Sequence, residues 1–146
     1  MFTKILLATD GSPDAGRALD LARDLALRDG ARVIVVHAFE PVPGYLGDPV
    51  EGRVLARHIS AGEQVADDAA ATLKEAGANV VVEVLEGPAA DAILKVADVR
   101  QCDLIVMGSR GHGTLASLFL GSVSHRVLAR ACVPVMVVKE TKERAA

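Results

Sequence analysis

The sequence predicts an α/β protein, an open five-stranded parallel sheet with helices on both faces. Three observations carry this. Short aliphatic runs alternate with segments of helical periodicity in the order βαβαβαβαβ. The second strand's stretch Val33 to Val36 is continuously apolar, as in strands buried on both faces. Gly, Pro, Asp and Ser punctuate the junctions. Right-handed crossovers follow from that order. With 146 residues and no internal repeat, linker or low-complexity block, residues 1–146 read as one domain.

Thr3 to Thr9 (TKILLAT) is the first strand, ended by the turn residues Asp10-Gly11-Ser12-Pro13. Ser12 is placed to cap a helix with Pro13 at its first position. That helix runs to about Asp29, with Ala15, Leu19, Ala22, Leu25 and Ala26 at helical spacing, and Gly30 stops it. Arg32 to Phe39 (RVIVVHAF) is the second strand. Glu40 to Gly52 reads as a Pro/Gly-rich loop at that strand's C-terminal end, where ligands sit in open α/β sheets. A long helix is expected from about Val54 to Ala76, with Gly62 an awkward residue near its start.

Asn79 to Leu85 is the third strand, and Gly87-Pro88 opens a helix through about Arg100. Cys102 to Met107 (CDLIVM) is the fourth strand. Ser122 to Ala131 is a short helix, Val133 to Val138 (VPVMVV) the fifth strand, and Lys139 to Ala146 a charged tail.

Apolar residues make up 51% of the chain, enough for a core without metal or disulfide help, whereas aromatics are 3% and Trp is absent. The core is therefore aliphatic, and base-stacking platforms for single-stranded nucleic acid are disfavoured. Net charge is −3 and the basic residues are scattered, so no nucleic-acid footprint is present. Cys102 and Cys132 form no metal or redox motif and read as reduced core thiols. The N-terminus lacks a signal-peptide pattern, and no apolar run approaches the ~20 residues that span a bilayer. The expectation is a soluble cytoplasmic protein with no membrane partner.

Chemistry concentrates between Met107 and Arg130, where Gly108, Gly111, Gly121 and Ser122 are spaced G-x2-G-x9-G-S. The first strand lacks the G-x-G-x-x-G of a dinucleotide fold, and G-x4-G-K-S/T does not occur. Ordinary NAD binding and P-loop chemistry are thereby disfavoured. Two readings stay open on spacing alone. Gly108, Ser109, Arg110 and Gly111 can turn over a phosphate, with Gly121 returning the chain and Ser122 and Ser124 adding hydroxyls at a helix N-terminus. Alternatively Gly108, Gly111 and Gly113 only turn a loop, and Ser122 only caps a helix.

Here the chain resembles the universal stress protein family. Its ATP-binding signature G-x2-G-x9-G-S/T is matched without a gap by Gly108, Gly111, Gly121 and Ser122. ILLATDGS, VVHAF and GSVSHRVLARACVPVMVVK extend the match along nearly the whole chain. The resemblance implies a Rossmann-like fold of the adenine nucleotide α-hydrolase-like kind, with strand order 3-2-1-4-5. It implies an ATP site, with Mg2+, along the C-terminal ends of strands 1 and 4. Ala8, Thr9 and Asp10 would lie by the nucleoside, Asp10 accepting from ribose hydroxyls or acting near the metal. Ala38 would meet the adenine edge through its backbone, and Met107 would pack beside the nucleoside. Gly108, Ser109, Arg110, Gly111, His112, Gly113 and Thr114 would surround the phosphates, together with Gly121, Ser122, Val123 and Ser124.

His125 departs from the acidic or polar residues common at its position and reads as a solvated helix residue. His37, His58 and His112 form no metal pattern. In the implied order the apolar run Val133–Val138 is a sheet edge, and antiparallel pairing of that edge makes a homodimer. The competing cover for it is the chain's own tail. No Ser/His/Asp or Cys/His arrangement stands out. The functional expectation is an ATP-binding sensor or signalling module of stress or dormancy, with at most slow hydrolysis. The alternatives are a nucleotide-free dimeric scaffold of the same fold and an adenine-nucleotide hydrolase-like enzyme.

Overall fold

The computed structural model describes residues 1–109 and 120–139. Their elements are β1 (Lys4–Ala8), α1 (Pro13–Asp29), β2 (Arg32–Phe39), a 3-10 turn (Gly44–Leu46), α2 (Val50–Glu75), β3 (Asn79–Glu86), α3 (Ala89–Val99), β4 (Leu104–Gly108), α4 (Ser122–Arg130) and β5 (Val135–Val138). All strand pairs are parallel, in the order β3-β2-β1-β4-β5 that the resemblance implied.

Strand alternation divides the core in two. Ile5, Leu7, Val33, Val35, Leu104 and Val106 point to the face covered by α1 and α2, through Ala18, Ala22, Ala66 and Leu73. Leu6, Ile34, Val36, Ile105 and Met107 point to the other face, covered by α3 and α4 through Ile93, Val96 and Val127. Both faces of the central strands are buried, which is why their sequences are continuously apolar. Small residues on α1 and α2 bring those helices close to the sheet.

Local chemistry explains the ends of α1. The Ser12 hydroxyl accepts from Ala15 N at 3.3 Å and Pro13 occupies the first turn. Gly30, at φ 69°, closes the helix in the left-handed region. The start of α2 differs from the sequence expectation, at Val50 and not Val54. A Cβ at Gly52 would meet nothing within 4 Å, so that glycine carries only its modest helix penalty and does not break the element. Gly62 sits inside α2 for a packing reason. A Cβ there would stand 2.8 Å from His37 Cδ2 and 3.0 Å from Val84 Cγ1, so glycine lets α2 lie close on β2 and β3.

Two strands begin two residues later than expected. β4 starts at Leu104 because Asp103 is engaged across the sheet, its carboxylate accepting from Thr3 N, Thr3 Oγ1 and Lys4 N. β5 starts at Val135; Pro134 has no N–H, although its carbonyl accepts from Ile105 N at 3.0 Å. The cysteines also divide. Cys102 is buried, and burial pushes its thiol up to about 11. Cys132 is exposed, so it is not the core thiol expected.

Two carboxylates tie down the start of β1. The Arg28 guanidinium, then the Phe2 N–H, hold the Asp29 carboxyl down to about 2. For Asp103 burial pushes upward, but the Thr3 and Lys4 donors outweigh it and keep the carboxyl below its usual range. Depressed carboxyls contribute stability that is present above their unfolded value, ~3.9, and lost as pH falls through the folded value. The melting temperature should therefore drop as pH is lowered from ~5 to ~2. Asp103→Asn should start lower at pH 5 and fall less steeply, as read by circular dichroism melts. Parallel wild-type and variant curves would contradict this.

Candidate functional site

Topology creates the site. From β1 the chain moves outward through β2 to β3, then crosses back to β4 and β5 on the opposite side. Connections leaving β1 and β4 therefore diverge, and a crevice opens beyond the C-terminal ends of these strands. A cavity of about 290 Å³ occupies that crevice.

One wall is apolar. Ala8, Val36, Ala38 and Met107 are the C-terminal residues of β1, β2 and β4 that face α3 and α4, and Ala89 and Ile93 of α3 lie opposite. The three alanines among them, Ala8, Ala38 and Ala89, leave a slot that suits a planar, apolar-faced group.

The second wall is polar and comes from the turn after β1. Asp10 Oδ1 accepts from Ser12 N at 2.9 Å, forming an Asx turn, and Gly11 adopts φ 79°. Thr9 Oγ1 accepts from Gly11 N at 3.3 Å. The Thr9 carbonyl receives His37 Nδ1–H at 2.9 Å, and a carbonyl only accepts, which assigns the hydrogen to Nδ1. Glu40, just beyond β2, adds a carboxylate to the rim.

The third wall is the start of α4. Gly121 is its N-cap, at φ −73° and ψ 165°, and brings no capping side chain. Ser122, Val123 and Ser124 form the first turn and line the cavity. The first N–H groups of a helix lack partners within it and carry partial positive charge, so this wall favours an anion. α4 also has no acidic residue in its first turn.

Gly108 and Ser109 join these walls. A Cβ on Gly108 would lie 2.9 Å from Ala15 N, Asp14 C and Asp14 Cβ, so the glycine admits the first turn of α1 against the end of β4. Ser109 is fully buried, and its hydroxyl donates to Asp14 Oδ2 at 2.7 Å.

The structure thus brings Ala8, Thr9, Asp10, Ala38, Met107, Gly108, Ser109, Gly121, Ser122, Val123 and Ser124 around one cavity. Arg110, Gly111, His112, Gly113 and Thr114 lie outside the described residues. Sequence reasoning missed Ser12, Ala15, Val36, Glu40, Ala89 and Ile93, which share this lining. Val36 was within reach, two residues before Ala38 on the same strand face. Ser12 was read only as a cap, and Ala89 and Ile93 required knowing which sheet face α3 covers. His125 is an exposed helix residue, as expected.

The described lining contains two carboxylates, Asp10 and Glu40, and no lysine or arginine. Among the described residues no group of three His, Cys, Asp or Glu side chains gathers as a metal site. Magnesium commonly takes one or two carboxylates together with substrate phosphates. This donor set fits a magnesium ion that arrives with a phosphate ligand. No helix among the described residues is long and apolar enough to cross a membrane.

Residues 1–139 match the family described as "Universal stress protein family". A relative from Thermus aquaticus, "Universal stress protein in QAH/OAS sulfhydrylase 3'region", is 46% identical over 139 residues, covering 95% of this chain and all of that one (100%). The solved structure of hypothetical protein MJ0577 superposes with a TM-score of 0.89 at 26% identity, over 98% of this chain and 99% of that one. The universal stress protein from Archaeoglobus fulgidus in complex with dAMP superposes with a TM-score of 0.71 at 25% identity, over 94% and 98%.

Proposed function

The chain belongs to the universal stress protein family, and on that premise we propose that it binds an adenine nucleotide, ATP with Mg2+ foremost, in the crevice between β1 and β4. The observation that carries this is the cavity itself, with an apolar slot at one end and the uncapped start of α4 at the other. That polarity matches a base at one end and phosphates at the other. Ala8, Val36, Ala38, Ile93 and Met107 would flank the base. Asp10 would accept from the ribose or meet the magnesium ion. Ser122, Val123 and Ser124 would offer N–H groups to the phosphates. The dAMP held by the Archaeoglobus relative supports an adenine ligand.

The same wall argues for holding over turnover. Phosphoryl transfer needs a charge clamp and a positioned nucleophile. The hydroxyl of Ser109 is committed to Asp14 and is not poised as a nucleophile. We read the protein as a nucleotide-dependent sensor or signalling module of the stress response, with at most slow hydrolysis. Purified protein should release an adenine nucleotide on denaturation, identified by mass. Stripped protein should bind ATP with Mg2+ in a calorimeter. Absence of both the released nucleotide and the calorimetric signal would contradict the proposal and favour a nucleotide-free scaffold. ATP turnover at ordinary enzymatic rates would favour the hydrolase-like alternative.

We further propose a homodimer through β5. This strand lies at the sheet edge, paired with β4 on one side. The carbonyls of Pro134 and Val138 face β4, accepting from Ile105 N and Ser109 N, so alternation turns the backbone groups of Val135 and Val137 outward. An outward ladder of apolar residues suits antiparallel pairing with a second copy. Light scattering at micromolar concentration should give twice the chain mass. A monomer mass would support cover by the tail instead.

A further inference from the structure

Behind the crevice lies a buried polar cluster that joins segments far apart in sequence. Asp14, Ser109 and Ser124 are 5%, 0% and 2% exposed. Ser109 Oγ donates to Asp14 Oδ2 at 2.7 Å, fixing the end of β4 to the first turn of α1. The Ser109 carbonyl then accepts from Gly121 N and, at 2.8 Å, from Ser124 Oγ. Gly121 and Ser124 bracket the start of α4. Ser109 N donates to Val138 O at 2.8 Å, which holds the residue against β5 as well.

The placement has a consequence for ligand binding. A helix N-terminus holds an anion well only when its N–H groups are already aimed. α4 has no side-chain cap to set its start. Its first turn is oriented instead through the Ser109 carbonyl, and Ser109 is oriented through Asp14. The Ser109 hydrogen points at Asp14 and does not serve the crevice as a donor. The close approach of α1 at Gly108 supports this, because Asp14 Cβ sits 2.9 Å from where a Cβ on Gly108 would stand.

We propose that Asp14 is a positioning residue for the phosphate-binding end of the site, acting through Ser109 on the start of α4. This rests on the reading of the crevice as a nucleotide site. It assigns Asp14 and Ser109 a role in how tightly phosphates are held, and none in how the nucleoside is held.

Calorimetric titrations with ATP–Mg2+ and with adenosine separate these contributions. Asp14→Ala removes the acceptor of a buried hydroxyl. It should weaken ATP by roughly tenfold while changing adenosine by less than about twofold. Asp14→Asn keeps a side-chain carbonyl for Ser109 and should retain ATP affinity. Should Asp14→Ala fail to fold, Ser109→Ala decides, with the same selective loss of ATP expected. Equal losses for ATP and adenosine would mean a merely structural role and would overturn the inference, as would unchanged affinity for both in the Ala variants. Loss of ATP in Asp14→Asn equal to that in Asp14→Ala would also overturn it, since charge would then matter and the bond would not. A wild-type protein that binds neither ligand would remove the nucleotide reading, and the inference with it.

Discussion

Gly121→Asp is expected to abolish ATP binding while leaving the fold at least as stable as wild type. Gly121 occupies the N-cap of α4 at ordinary backbone angles, φ −73° and ψ 165°, so an aspartate adds no backbone strain. Aspartate is also among the better N-cap residues, and replacing glycine by it gains a few tenths of a kcal/mol. The carboxylate would accept from the N–H groups otherwise offered to phosphate. It would also place a negative charge where the phosphates sit. At ~4 Å and the effective dielectric of a partly exposed site, that repulsion is about 4 kcal/mol, or roughly a thousandfold in affinity. Paired calorimetry and thermal melts check both parts. ATP affinity within about threefold of wild type would contradict the placement of phosphates at α4.

Gly108→Val should damage the fold as well as the site. The first added carbon already lies 2.9 Å from Ala15 N and Asp14 C, which are backbone atoms that cannot rotate away. Either α1 lifts from β4 or the end of β4 bends. Overpacking of this kind costs about 3 kcal/mol, which lowers the melting temperature by roughly 6–12 °C in a chain of this size. Because α1 and β4 both border the crevice, ATP affinity should fall by more than about tenfold. Gly52→Ala is the control. It places a methyl in open space on a helix and should leave affinity unchanged while raising stability slightly. A Gly108→Val protein that melts like wild type would show that α1 does not rest on this glycine.

These two glycines show how unevenly function is written in the sequence. Both belong to one spaced motif, yet their structural reasons differ. Gly108 admits a helix from the far end of the chain, and Gly121 leaves a helix start without a side-chain cap. Spacing alone could not separate these reasons. Elements were more legible. The continuous apolar stretch Val33 to Val36 in β2 announced a strand buried on both faces, and the two-layer division of the core bears this out. Strand order was not contained in periodicity and came with the family resemblance. The start of α2 was hidden because Gly52 and Pro49 look like loop residues locally, whereas exposure makes Gly52 tolerable. Gly62 looked like a flaw in a helix, and packing against His37 explains it.

Site residues divide the same way. Those on strand ends, Ala8, Ala38 and Met107, lie in regular elements whose faces alternate, and they converge on the cavity. Asp14 could not have been found. It reads as an ordinary acidic residue in a helix's first turn, and its partner Ser109 is 95 positions away. Ser109 itself was expected among phosphate-facing residues, and its hydroxyl turns inward to Asp14.

The most direct measurement is a two-dimensional amide NMR titration of the nitrogen-15-labelled protein with ATP and Mg2+. The largest shifts are expected at Ala8, Asp10, Ala38, Gly108 and the first-turn amides of Ser122, Val123 and Ser124. The amides of Thr3, Lys4 and Asp103, at the opposite end of the sheet, should hardly move. Shifts concentrated at that opposite end, or an absence of shifts at saturating ATP, would contradict it.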